Sequence, residues 1–282
     1  MEYFPKNRLM QMIADRVIPL GMQCFTGNPA LIEVLGLTGF DWVMIDTEHA
    51  GNDGHALESL LRTAKLAGLV PVVRVADRYN ETQIRRALEA GAEGIMLPMV
   101  RSAADVDFAV ESAFFPPKGT RGICPAIRAA NYNFRSFEEY VQWNNAETIL
   151  IPMVEHPEAV DHIEEICAHQ DVHILVFGAG DLCYAMGEGT LMMKSPKVQT
   201  AYRKVLDAAK RHNVIVMGGP VLDPNAAACR KAIEDGIGIF CLGLDTMGFR
   251  RFCEQTVNEV SRGVEGTNFS RPPVPASGFP DR

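Results

Sequence analysis

With 282 residues, 47% of them hydrophobic and 22% charged, the chain can bury a sizeable core as one or two domains, and an α/β barrel takes about 200–250 residues as one unit. A net charge of −8 without clustered Lys and Arg excludes an extended nucleic-acid surface, which must neutralise backbone phosphates. The first twenty residues, interrupted by Pro5, Lys6, Arg8, Asp15 and Arg16, read as neither secretion signal nor membrane span, and seven cysteines without a C-x-x-C pair read as reduced, mostly structural thiols of a cytoplasmic protein.

In chain order, an apolar run at 17–25 predicts a first strand, and 28–37 a helix with Pro29 in its first turn. The run 42–46 is the second strand, and 53–67 has helical periodicity that stops at Gly68. A third strand at 70–75 and a helix at 81–90, stopped by Gly91, follow. A fourth pair occupies 93–98 and 103–113. The rhythm then lengthens. Residues 114–133 contain Pro116, Pro117, Gly119 and Gly122, and an extra helix is expected at 137–144. Strand five (148–154), a helix (158–169), strand six (173–177), a long loop, a helix (197–212), strand seven (214–218), a helix (225–235) and strand eight (236–242) restore it. A last helix covers 247–262. The Pro/Gly-rich residues 263–282 are expected to form a tail outside the 1–262 barrel domain, lying on a neighbour or partly disordered.

Eight short apolar runs alternating with helices imply parallel strands, because each crossover helix reverses the chain. The expected fold is α/β, a single-domain (β/α)8 TIM barrel, with its active site at the C-terminal strand ends. The rival is an open doubly wound sheet. It lacks support, since Gly178-Ala179-Gly180 completes no G-x-G-x-x-G fingerprint.

The barrel reading requires chemistry just after strands. Strand two delivers Asp46, Glu48 and His49, strand three ends in Arg74, strand five in Glu155 beside His156, and strand six leads to Asp181. Each alone reads more readily as a solvated loop charge; together they mark one rim. Glu155 and Asp181 are hard oxygen donors suited to Mg2+ or Mn2+ with positions left open. Arg74 suits an anionic oxygen forming on a substrate. His49, oriented by Asp46, is the natural general base. A metal, a cation and a base around one pocket suit enolate chemistry on a 2-oxo acid. The competing Schiff-base route needs a desolvated lysine, and no predicted strand ends in one. If 114–133 climbs to the active rim, Arg121 and Arg128 can meet a substrate carboxylate. The pair His169-x-x-x-His173 reads as structural, and Met192-Met193 as apolar filler.

At this point Phe40-Asp41-Trp42-x-x-x-Asp46-x-Glu48-His49, Pro71-Val72-Val73-Arg74, Gly91-Ala92-x-Gly94-Ile95-Met96-x-Pro98, Gly119-x-Arg121-Gly122, Glu155 and Gly178-x-x-Asp181-Leu182 resemble the HpcH/HpaI aldolases. These are metal-dependent, class II 2-oxo-acid aldolases of the phosphoenolpyruvate/pyruvate barrel superfamily, and the similarity runs over 17–262. The resemblance implies reversible aldol cleavage to pyruvate or a close analogue and an aldehyde. It implies a divalent ion (Mg2+, Mn2+ or Co2+) on Glu155 and Asp181, Arg74 steadying the enolate, and His49 with Asp46 as base. It further implies that the backbone N–H groups of Gly180 and Asp181 hold the pyruvate carboxylate. Glu48, Arg121 and Arg128 would lie farther out. A homohexamer, a trimer of dimers with the final helix exchanged, is the implied assembly, with small-molecule partners and neither nucleic acid nor membrane. Met153 stands where many relatives carry Gln, Ala179 where they carry Pro, and Ala130 where Ser or Thr is expected. These changes fall nearest the substrate and leave open the aldehyde and the rival reaction, decarboxylation of a substrate such as oxaloacetate. A non-catalytic oxo-acid-binding barrel is the rival of another class.

Overall fold

Eight parallel strands close on one another in sequence order β1 to β8 in the computed structural model, which describes residues 3–218 and 225–272. The strands are β1 (Leu20–Cys24), β2 (Trp42–Asp46), β3 (Val70–Arg74), β4 (Gly94–Leu97), β5 (Ile149–Val154), β6 (Ile174–Phe177), β7 (Ile215–Gly218) and β8 (Ile237–Leu244). The (β/α)8 barrel is therefore as expected, and its rim is formed by the C-terminal ends of these strands.

Twelve helices occur among the described residues: α1 (Arg8–Ala14), α2 (Pro29–Leu37), α3 (Gly54–Leu66), α4 (Glu81–Ala90), α5 (Ala103–Ala113), α6 (Phe137–Glu147), α7 (Pro157–Asp161), α8 (Ile163–Ala168), α9 (Ala179–Ala185), α10 (Pro196–His212), α11 (Ala226–Glu234) and α12 (Asp245–Val264). Four of these, α1, α7, α8 and α9, depart from the sequence expectation. Helix α1 falls in a stretch for which the sequence predicts no element; Asn7 caps it through its side chain, accepting from Leu9 N–H. The single helix expected at 158–169 is broken at His162, whose ring nitrogen instead meets the Arg101 carbonyl at 3.1 Å. Helix α9 is a short turn at the start of the long loop after β6. Residues 273–282, half of the expected tail, lie outside the described residues.

Two apolar layers follow from the period-two alternation of the strands. Side chains pointing outward, such as Val43, Ile45, Val73 and Ile95, join the helices in the larger core. Those pointing inward, including Trp42, Met44, Val72, Met96, Met153 and Met217, fill the barrel, and Leu9 of α1 joins them. Gly21 of β1 makes room for the indole: a Cβ there would lie 2.0 Å from the Trp42 ring. The filled interior makes the barrel a rigid pedestal, not a pore. No described helix is long and apolar enough to cross a membrane. All seven cysteines are free, and burial pushes the Cys241 thiol up to about 11.

Candidate active site

The register of β2 against β3 pairs Asp46 with Arg74, placing a carboxylate and a guanidinium side by side at the rim. Asp46 is fully buried. Its Oδ2 accepts from Arg74 Nε at 2.6 Å and also from Nη2, while its Oδ1 accepts the backbone N–H groups of Glu48 (3.0 Å) and His49 (2.6 Å). A carboxylate with four donors is fully committed. The expected orientation of the His49 ring by Asp46 is therefore not observed. Asp46 folds the backbone of the loop, and the ring of the exposed His49 has Glu48 as its neighbour, Nε2 to Oε2 3.6 Å. Glu48 Oε2 also approaches Arg74 Nε at 3.2 Å, so Glu48 links the imidazole to the guanidinium. Above Arg74 the Phe25 ring lies 5.8 Å away. The Thr47 hydroxyl donates to the Arg74 carbonyl at 2.6 Å, and Asn52 donates to the Asp46 carbonyl at 3.0 Å.

On the opposite wall, β5 ends in Glu155, which is only 4% exposed. Its Oε1 accepts from the backbone N–H of Met99 at 2.7 Å, and that contact holds Met99 in a left-handed conformation with φ +54°. Its other oxygen faces Gly178 at the end of β6, where a Cβ would come within 2.7 Å. Burial first, and then the charges of Asp181 and Glu48, raise the Glu155 carboxyl to about 7, against the opposing pull of the Met99 N–H and Arg74. Burial likewise raises Glu48, opposed chiefly by Arg74. Asp181 sits exposed in the first turn of α9, which begins at Gly178 without a side-chain cap. The N–H groups of Gly180 and Asp181 are thus among those a helix start leaves unpaired, and Met192 packs 3.5 Å from where a Gly180 Cβ would be.

The donor set suits a hard divalent cation. Glu48, Glu155 and Asp181 form one negative field in which burial outweighs the pull of Arg74 on Glu155, so a cation placed among them would favour the ionised carboxylate. Among the described residues no group of three His, Cys, Asp or Glu side chains forms a preformed metal cage. The two carboxylates Glu155 and Asp181 would leave the remaining positions to water and substrate, as Mg2+ commonly requires.

Two predicted residues lie elsewhere. The segment 114–133 does not climb to the rim; it folds back beneath the barrel at the N-terminal strand ends. Arg121 is buried there, donating to Asn144 Oδ1 at 2.8 Å and Tyr140 Oη at 3.3 Å and stacking 4.6 Å from the Phe115 ring. Arg128 donates to the carbonyl of Ala90, at the end of α4, at 2.8 Å. The cause is an aromatic cluster of Phe115, Phe137 and Tyr140 with Phe4, which buries more apolar surface below the barrel than an exposed rim loop could. Helix α6 accordingly lies along this face, its Trp143 donating to the Pro5 carbonyl at 2.6 Å.

One rim residue was missed by sequence reasoning. Asp245, buried just beyond β8, accepts from the N–H groups of Phe25 and Thr26, each at 3.0 Å, stitching β8 to the loop that carries Phe25. Ending strand eight at Leu242 hid it; the strand runs to Leu244, and an acid at a strand end is the same signal that marks Asp46.

A family model described as HpcH/HpaI aldolase/citrate lyase matches residues 21–251. The 5-keto-4-deoxy-D-glucarate aldolase of Klebsiella pneumoniae is 32% identical over 250 residues, 88% of this chain and 93% of that one. An HpcH/HpaI aldolase/citrate lyase family protein of Burkholderia cenocepacia superposes with a TM-score of 0.83 at 33% identity, covering 90% of this chain and 99% of the other. The citrate lyase beta subunit of M. tuberculosis, solved with oxaloacetate and magnesium, shares the fold at 18% identity with a TM-score of 0.53, over 80% and 91% of the two chains.

Proposed function

The chain belongs to the HpcH/HpaI aldolase/citrate lyase family, and on that premise we propose that it is a metal-dependent 2-oxo-acid aldolase, reversibly cleaving a 4-hydroxy-2-oxo acid to pyruvate (or a close analogue) and an aldehyde. The observation that carries this reading is the buried Glu155, held high by burial and by the charges of Asp181 and Glu48 on a rim that also holds Arg74. None of the eight strands ends in lysine, which supports metal over Schiff-base chemistry.

Glu155 and Asp181 would hold the divalent ion, which when bound supplies Lewis-acid polarisation of the 2-oxo group. Arg74, immobilised by Asp46 and Glu48, keeps its Nη1 without a hydrogen-bond partner among the described residues and meets the negative charge that grows on the 2-oxo oxygen as the C3–C4 bond breaks. Its fixed position means no reorganisation is needed at that moment. The N–H groups of Gly180 and Asp181 hold the substrate carboxylate at the start of α9. His49, exposed at the mouth with Glu48 beside its ring, takes the C4 hydroxyl proton. Phe25 and Met192 cover the site and limit water.

The assembly belongs to the same proposal. In α12 only Asp245 is buried, while Phe249 and Phe252 are 65% and 62% exposed on the face that also carries Val260. An apolar helix stripe of this kind fits a second copy, as helix exchange within a homohexamer would provide.

The decisive experiment incubates the protein with pyruvate in deuterated water and Mg2+, Mn2+ or Co2+. The methyl protons are expected to exchange, and EDTA to stop the exchange. Absence of exchange with all three ions would remove the enzymatic reading and leave an oxo-acid-binding barrel. Cleavage of 4-hydroxy-2-oxo acids is then compared with oxaloacetate decarboxylation; release of CO2 without any aldol cleavage would assign the rival reaction.

A further inference from the structure

The N-terminal face of the barrel carries a cavity of about 330 Å3 whose chemistry the reaction at the rim leaves unused. Its walls include Arg62 and Lys65 of α3, Arg128 of the folded-back segment, and the aromatic rings of Phe4, Tyr132 and Trp143. Lys65 is neutralised by Glu93. The two arginines are not neutralised in this way. Arg62 is exposed and forms no hydrogen bond or ion pair with the described residues. Arg128 spends one N–H on the Ala90 carbonyl, and the acidic group that acts on it is Glu58, one helical turn before Arg62.

Arg128 is also built into place. Its guanidinium passes over Gly91, where a Cβ would lie 2.2 Å from Nη1; Gly91 has φ +110° as the cap of α4. Three consecutive non-glycine residues, Asn131, Tyr132 and Asn133, take φ of 51°, 53° and 60°. Asparagine tolerates that region, but Tyr132 costs on the order of 1 kcal/mol there. The strained Tyr132 lines the same cavity as Arg128 and its hydroxyl favours the Arg128 cation. Burial, and after it the charge of Arg62, work against the Arg128 cation. Two guanidinium groups held together with most of their donors uncommitted are poised for an oxyanion, which would relieve their repulsion and accept bidentate hydrogen bonds.

We propose that this cavity is an anion site, separate from the barrel mouth, that takes a small organic polyanion (a phosphate ester or a di- or tricarboxylate) on Arg62 and Arg128, with its carbon part against Phe4 and Trp143. The site is independent of the reaction assigned to the rim, and its test uses binding alone.

Trp143 provides the readout, because the other tryptophan, Trp42, is sealed in the barrel. The full chain, freed of metal with EDTA, is titrated at constant ionic strength with inorganic phosphate in one arm and succinate in the other, following tryptophan fluorescence. A saturable change is expected, with phosphate or succinate the tighter binder according to which anion class the site serves. Arg62→Ala, an exposed substitution that leaves the fold intact, and Arg128→Met should each weaken it at least tenfold, whereas Arg74→Ala should leave it within twofold. A non-saturating response, or one that survives Arg62→Ala, would overturn the proposal. So would a response lost in Arg74→Ala, which would place the anion at the barrel mouth. If Arg62→Ala instead lowers the solution mass and neither anion perturbs fluorescence, the cavity is a contact between copies and the proposal fails.

Discussion

Replacing Glu155 by glutamine tests the charge logic of the rim. Glutamine keeps the shape and the carbonyl oxygen that accepts from Met99, so the change is confined to charge. Burial and the neighbouring carboxylates hold the Glu155 carboxyl at about 7 against an ordinary 4.5. At about 1.4 kcal/mol for each tenfold change in proton affinity, the ionised form costs the folded protein about 3 kcal/mol. Because the folded value is raised, the cost is absent below pH 4.5, grows as pH rises towards 7, and is complete above it. Glu155→Gln should therefore stabilise the metal-free protein by about 3 kcal/mol at pH 8 and by little at pH 4.5. Added Mg2+ or Mn2+ should stabilise the wild type at pH 8 by mass action and do nothing for the variant. Denaturant titrations at the two pH values, with EDTA or with metal, measure all four quantities. A variant that is destabilised equally at both pH values would refute the reasoning, since Glu155 would then be a neutral hydrogen-bonded strand residue and no metal ligand.

Other expectations follow from single contacts. Asp46→Asn removes one partner of a buried ion pair and turns an amide N–H towards donors; about 3 kcal/mol should be lost, a Tm decrease of roughly 6–12 °C by calorimetry, with Glu48 limiting the damage at Arg74. His49→Ala should slow aldol cleavage at least a hundredfold while leaving Tm within a degree or two, because the only ionic partner of its exposed ring among the described residues is Glu48. Arg121→Ala should behave oppositely: loss of hydrogen bonds to Asn144 and Tyr140 and of stacking on Phe115 should cost about 2–3 kcal/mol, with pyruvate exchange kept within twofold. Phe249→Ser with Phe252→Ser should lower the solution mass measured by light scattering if α12 packs on a second copy, and leave it unchanged if the helix is simply solvated.

Much of this protein is legible along its chain. Eight apolar runs separated by helical periodicity can satisfy their backbone hydrogen bonds and bury both faces only as a parallel sheet clothed in helices, and eight of them close. The strand-end rule then picks out Asp46, Glu48, His49, Arg74, Glu155 and Asp181 before any contact is known, because side-chain position on a strand is a local property. What each of these does to the others is not local. Asp46 was expected to serve His49 because the two are three residues apart, but the β2–β3 register presents it with Arg74, and a guanidinium outcompetes an imidazole for a buried carboxylate. Counting crossovers sends Arg121 and Arg128 to the rim, yet the segment that carries them goes wherever its aromatic residues find partners: Phe115 packs on Tyr140, and Tyr140 on Phe4, which lies far away in sequence. Sequence by itself determined the barrel and its family, since both rest on short-range pattern. Only the tertiary structure decided which charges meet, how high the Glu155 carboxyl is held, and which face a loop covers, since those depend on burial and on distances between segments that the chain brings together only by folding.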